Sequence, residues 1–131
     1  MSVVDSSALV TLLLGEPGWE RLQTCLEESQ PWRISAVTRV EASMVIETRL
    51  GLVGRAQLDA LLLRIGAEVH PVTADTTVVA LDGWRRYGRG RHPARLNFGD
   101  CFSYALAMEL DEALLFIGDD FGLTDVVSAL S

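Results

Sequence analysis

Two short apolar runs in this chain end in acids. Val3-Val4 leads directly into Asp5, and Leu114-Leu115-Phe116-Ile117-Gly118 leads into Asp119 and Asp120. Neither run alternates apolar with polar residues, so neither suits a sheet with one wet face. Both suit central strands of a parallel sheet covered on its two sides. Parallel neighbours need long crossovers, usually helical. Turn signals divide the chain accordingly: strand at Ser2–Asp5, helices at Ser6–Leu14 and Gly18–Glu28, strand at Arg33–Ala36, helices at Thr38–Leu50 and Val53–Ile65. Strand Glu68–Val72, helix Thr73–Tyr87, an arginine-rich loop, helix Phe98–Leu110 and strand Leu114–Gly118 follow, with Asp125–Leu130 as a further edge strand. The expected class is α/β, with a mostly parallel sheet of four to five strands between helical layers. The 131 residues make one domain, 1–131, large enough to bury a core without staples.

Ligands of open parallel sheets gather at the carboxyl ends of the strands. Asp5, Asp119 and Asp120 fall there. Glu41 and Asp100 lie at the starts of two helices, and would join them if those helix ends meet the same sheet edge. Two carboxylates 4 Å apart repel by roughly 4 kcal/mol at an effective dielectric of about 20. A hard divalent cation relieves this, and oxygen ligands select Mg²⁺ or Mn²⁺ over zinc. Such an ion can activate water against a phosphodiester. Each acid also has a structural explanation. Thr38-x-x-Glu41 and Asn97-x-x-Asp100 match the helix capping box, Asp5 can cap the first helix, and Asp119 and Asp120 suit a turn.

Charge and composition narrow the chemistry. The net charge is -7, and all 11 bases are arginine. Without lysine, Schiff-base chemistry, Walker-type phosphate binding and lysine-assisted aspartyl phosphate chemistry are excluded. Cys25 and Cys101 belong to no Cys/His cluster and fit a reducing compartment as idle thiols. No signal peptide or membrane span is visible, so a cytoplasmic protein is expected.

Taken in order, these segments resemble a known family. Val3-Val4-Asp5-Ser6-Ser7-Ala8-Leu9 is similar to the first motif of PIN-domain ribonucleases. Leu96-Asn97-Phe98-Gly99-Asp100-Cys101-Phe102-Ser103-Tyr104-Ala105-Leu106-Ala107 resembles the third motif of VapC-type toxins of type II toxin–antitoxin systems. Leu114–Phe121 followed by Thr124-Asp125 resembles their last motif, and Glu41 stands where that family has its second acid. The resemblance implies a PIN-like three-layer α/β/α domain and an Mg²⁺- or Mn²⁺-dependent endoribonuclease. Asp5, Glu41, Asp100 and Asp119 would be its catalytic, metal-binding acids. The family's Thr-x-Asp or Thr-x-Asn is replaced here by Gly118-Asp119-Asp120, so Asp120 is the alternative fourth acid. Asp125 is read as structural. Ser7 and Asn97 would support the ligands or a phosphate. A cognate VapB-type antitoxin, RNA, a homodimer and a higher toxin–antitoxin assembly are the implied partners, with the antitoxin along an apolar groove between the early helices. The other readings are a haloacid-dehalogenase-like phosphatase and a non-catalytic PIN-like binding module. The first wants a second Asp where Ser7 stands and a lysine that is missing.

An acidic balance argues at first against nucleic acid. Setting aside the four site acids leaves 14 acids against 11 bases. Arg85, Arg86, Arg89, Arg91 and Arg95 cluster beside Trp84, Tyr87 and His92, either as a solvated helix end or as an RNA phosphate contact. Trp19, Trp32, Leu12, Leu13 and Leu14 are expected in the core. Leu58–Ile65 is apolar on more than one face, so one side is expected to meet a partner.

Overall fold

The computed structural model describes residues 1–130. In chain order the elements are β1 (Ser2–Val4), α1 (Ser6–Leu14), α2 (Trp19–Glu28), β2 (Trp32–Ser35), α3 (Ala36–Arg64), β3 (Glu68–His70), α4 (Ala74–Tyr87), α5 (Phe98–Leu110), β4 (Ala113–Leu115) and a 3₁₀ turn (Phe121–Leu123). The four strands lie in the order β3-β2-β1-β4, all parallel. Successive residues of a strand point to opposite faces, and here both faces are buried. Val4, Ile34 and Leu115 pack with Leu9, Leu22, Ile46 and Leu58 of α1, α2 and α3. Val3 and Leu114 pack with Ala80, Tyr104, Ala105 and Phe121 on the α4–α5 side. The lack of alternation in Val3-Val4 and Leu114-Leu115 is therefore the signature of a sheet between two helical layers.

Two strand expectations are corrected, while the two helices expected at Thr38–Leu50 and Val53–Ile65 are present as the two halves of α3, which begins at Ala36 and is broken at Gly51, with φ 70° and ψ -164°. Only glycine enters that region without strain. The strand expected over Leu114–Gly118 ends at Leu115, because pairing with β1 stops where Asp5 begins to cap α1. The tail does not form a strand; it makes one bridge, Leu114 to Ser128.

Trp32 is fully buried, with its indole N–H donating to the Leu26 carbonyl at 2.8 Å. Trp19 is instead partly exposed, and Leu12, Leu13 and Leu14 only border the core. Leu58, Leu61, Leu62 and Ile65 are buried while Leu63 projects into solvent. No helix among the described residues is long and apolar enough to cross a membrane.

Candidate active site

Because all four strands run the same way, β1, β2 and β4 deliver their carboxyl ends to one edge. Asp5 leaves β1 there and caps α1: its Oδ2 accepts the Ser7 backbone N–H at 3.0 Å. Burial of a carboxylate is costly unless its oxygens are paired, and Asp5 is only 1% exposed. Its Oδ1 is satisfied by the Ser103 hydroxyl, which donates at 2.6 Å. That hydroxyl lies 3.0 Å from the Thr38 hydroxyl, and Thr38 and Ser103 are both fully buried.

Glu41 is not a capping residue. The cap of α3 is Ser35, whose hydroxyl accepts the Val37 N–H, and Thr38 lies inside the helix. Glu41 Oε1 instead accepts the Ser6 hydroxyl at 2.7 Å across the pocket. The carboxylate presses so closely on Gly99 that a Cβ there would collide with both its oxygens. Asp100 does form the expected capping box: its Oδ2 accepts the Asn97 N–H at 3.0 Å, and Asn97 Oδ1 accepts the Asp100 N–H at 2.9 Å. Capping does not prevent it from facing the other acids. Burial, and then the charges of Asp5, Glu41 and Asp120, push its pKa up to about 7, against the opposing pull of the Asn97 N–H.

The third charge acting on Asp100 is that of Asp120, the residue after Asp119, which the sequence favoured for its nearness to the strand. Gly118 turns the chain at φ 100°. Asp120 sits at the cap position of the 3₁₀ turn without a side-chain capping bond. Ser7, expected to help bind a ligand, has its hydroxyl accepting the Ile117 N–H at 3.1 Å, which ties α1 to the segment after β4. Asn97 works as the cap of α5. Ser6, Thr38, Gly99 and Ser103 were not recognised as site residues from sequence. For Ser103 and Thr38 the available signal was helical spacing, one turn from Asp100 and Glu41 respectively.

The donor set is one of hard oxygens. As the side chains stand, no group of three or more His, Cys, Asp or Glu among the described residues closes around a single point. Asp5, Glu41 and Asp100 are each held by their own neighbours. Mg²⁺ commonly keeps several waters and takes only one or two carboxylates, so the set fits such an ion without collapsing onto it. The thiol next to Asp100 offers no alternative nucleophile: burial, then the Asp100 charge, push Cys101 up to about 11.

The arginine cluster divides. Arg86 is ion-paired with Asp82 at 3.5 Å and Asp125 at 3.3 Å, and donates to the Tyr104 hydroxyl. Arg91 stacks 4.5 Å above the Trp84 ring and donates to the Arg85 carbonyl. Arg85, Arg89 and Arg95 are exposed. The pairing of Asp125 with Arg86 accords with its structural reading.

An acidic pocket at the carboxyl edge of a four-stranded parallel sheet, beside the starts of two helices, is the arrangement this α/β domain presents. Residues 2–126 match the model of the PIN domain, and the chain belongs to the PIN domain family. Within it, the chain is similar to Ribonuclease VapC of Mycolicibacterium smegmatis, 44% identical over 126 residues covering 96% of this chain and 98% of the relative. Ribonuclease VapC42 of Mycobacterium tuberculosis is 45% identical over 125 residues, 95% of each chain. In fold it matches a crystal structure of Mycobacterium tuberculosis VapC20, described as a Sarcin-Ricin loop cleaving toxin, with TM-score 0.80, 19% identity and 97% of both chains covered. A toxin–antitoxin complex from Klebsiella pneumoniae gives TM-score 0.73 at 18% identity over 98% of both chains.

Proposed function

We propose that this chain is a VapC-type toxin, a divalent-metal-dependent endoribonuclease. The observation that carries the metal assignment is the gathering of three carboxylates at one sheet edge: Asp5 buried at the end of β1, Glu41 held across the pocket by Ser6 and pressed on Gly99, and Asp100 one residue beyond Gly99. Relatives named as ribonucleases over nearly the whole chain support the nuclease assignment. Asp5, Glu41, Asp100 and Asp120 would hold Mg²⁺ or Mn²⁺, with Asp119 the less favoured fourth acid. Bound there, the ion supplies an activated water and neutralises charge on the phosphodiester. Glu41 Oε1 is fixed by Ser6, which leaves Oε2 to orient the attacking water. The Asn97 cap holds Asp100 at the first turn of α5, where the helix dipole offsets part of its charge.

RNA would approach over the exposed Arg89, Arg85 and Arg95. The toxin role implies a cognate antitoxin, and the groove between α1, α2 and α3, where Leu12, Leu13, Trp19, Ala60 and Leu61 are flanked by Gln23, Gln57 and Arg64, could receive its apolar and polar side chains. A cytoplasmic location and a homodimer complete the assignment, and residues 1–131 act as one catalytic domain. The purified chain freed of antitoxin should cleave RNA with Mg²⁺ or Mn²⁺ and not in EDTA. Asp5→Asn should abolish cleavage with the fold retained; cleavage surviving either treatment overturns the assignment.

A further inference from the structure

Asp5 is the most deeply buried acid of the pocket, and its two oxygens are held differently. Oδ2 caps α1 through the Ser7 N–H, a contact any helix-capping Asp could make. Oδ1 depends on Ser103, a residue 98 positions away on α5. The hydroxyl of Ser103 has one proton, and Oδ1 takes it. The 3.0 Å contact with Thr38 therefore has Thr38 donating and Ser103 accepting. The result is a directed chain, Thr38 to Ser103 to Asp5, sealed from solvent at every member.

Its placement ties three elements together. Thr38 lies one turn before Glu41 on α3, and Ser103 one turn after Asp100 on α5. The hydroxyl pair thus lies one turn along each helix from the acid it carries, and joins both helices to the end of β1. A packing role alone would not call for hydroxyls here, because apolar groups of like size fill buried space without needing partners.

We propose that Ser103 and Thr38 are positioning residues of the metal pocket, acting through Asp5 to set its carboxylate relative to Glu41 and Asp100. The proposal rests on the metal-dependent reading above. Groups that hydrogen-bond metal ligands typically carry about 10- to 100-fold in metal affinity. Calorimetric titration of the full chain with Mn²⁺ tests it, alongside thermal unfolding of the metal-free protein. Ser103→Ala should weaken Mn²⁺ binding about tenfold. Thr38→Val, which keeps shape and removes the hydroxyl, should weaken it less, while Thr38→Ser should bind like the native chain. In an Asp5→Asn background, Ser103→Ala should make no further difference. Native affinity in Ser103→Ala overturns the proposal, as does equal impairment in Thr38→Ser and Thr38→Val. Should Ser103→Ala fail to fold, the Thr38 pair decides alone. A native chain that binds no Mn²⁺ overturns the metal assignment and this proposal together; one that binds, with an unaffected Ser103→Ala, removes only the positioning role.

Discussion

Asp100→Asn should stabilise the metal-free protein, and by an amount that depends on pH. In the folded chain the Asp100 pKa is raised from 3.8 to about 7, chiefly by burial and then by Asp5, Glu41 and Asp120. The folded state then binds a proton more tightly than the unfolded state. Its contribution to stability is fully present below about pH 4 and is lost as pH rises to about 7. A shift of about three pH units at about 1.4 kcal/mol each gives roughly 4 kcal/mol. The carboxylate is partly open to solvent, which screens it, so about half that, on the order of 2 kcal/mol, is a better expectation. For a chain of this size that is roughly 6–10 °C in Tm. Asparagine removes the charge, while its amide oxygen can still accept the Asn97 N–H of the capping box. Calorimetric Tm values in EDTA should therefore agree for both proteins near pH 4, diverge up to about pH 7, and stay separated above it. Magnesium at pH 8 should raise the native Tm and close the gap. A gap independent of pH, or equal magnesium stabilisation of Asp100→Asn, would refute the electrostatic reasoning.

Gly99→Ala places a methyl group where the Glu41 carboxylate lies, so cleavage should fall at least about tenfold through misplacement of that acid, with the circular dichroism spectrum unchanged. Asp120→Asn should reduce RNA cleavage far more than Asp119→Asn, because Asp120 is the acid coupled to Asp100; equal effects in a gel cleavage assay would restore Asp119. Arg89→Ala should weaken RNA binding and reduce the slope of log affinity against log salt by about one. Arg86→Ala should instead lower Tm, since it loses its contacts to Asp82, Asp125 and Tyr104, and should leave the salt slope unchanged.

Much of the fold was legible because its signals are local. Two-sided burial is visible in Val3-Val4 and Leu114-Leu115 as apolar residues without alternation. The helices over Ser6–Leu14 and Phe98–Leu110 start at capping residues, Asp5 and Asn97, that can be read from the chain. The break at Gly51 was placed correctly, since a glycine there admits a backbone that other residues resist. Strand length was less legible. Leu114–Gly118 is apolar throughout, yet β4 ends when its partner β1 does.

By itself the sequence determined which acids existed to be gathered, and that parallel strands would carry Asp5 to the same edge as the residues after β4. It also determined that lysine chemistry was excluded. Only the tertiary structure decided what each acid touches. Thr38-x-x-Glu41 has the spacing of a capping box, but the cap is Ser35, and Glu41 is held by Ser6 from 35 residues away. Asn97-x-x-Asp100 is a true capping box, and Asp100 nevertheless lies within reach of the charges of Asp5, Glu41 and Asp120. Spacing of three residues is equally compatible with both outcomes, because a hydrogen bond between helix neighbours is a local matter. Desolvation, like-charge repulsion and the link from Ser103 to Asp5 depend on groups brought together from opposite ends of the chain. The nearness of Asp120 to Asp100 is of the same kind, since it depends on how the segment after β4 turns at Gly118.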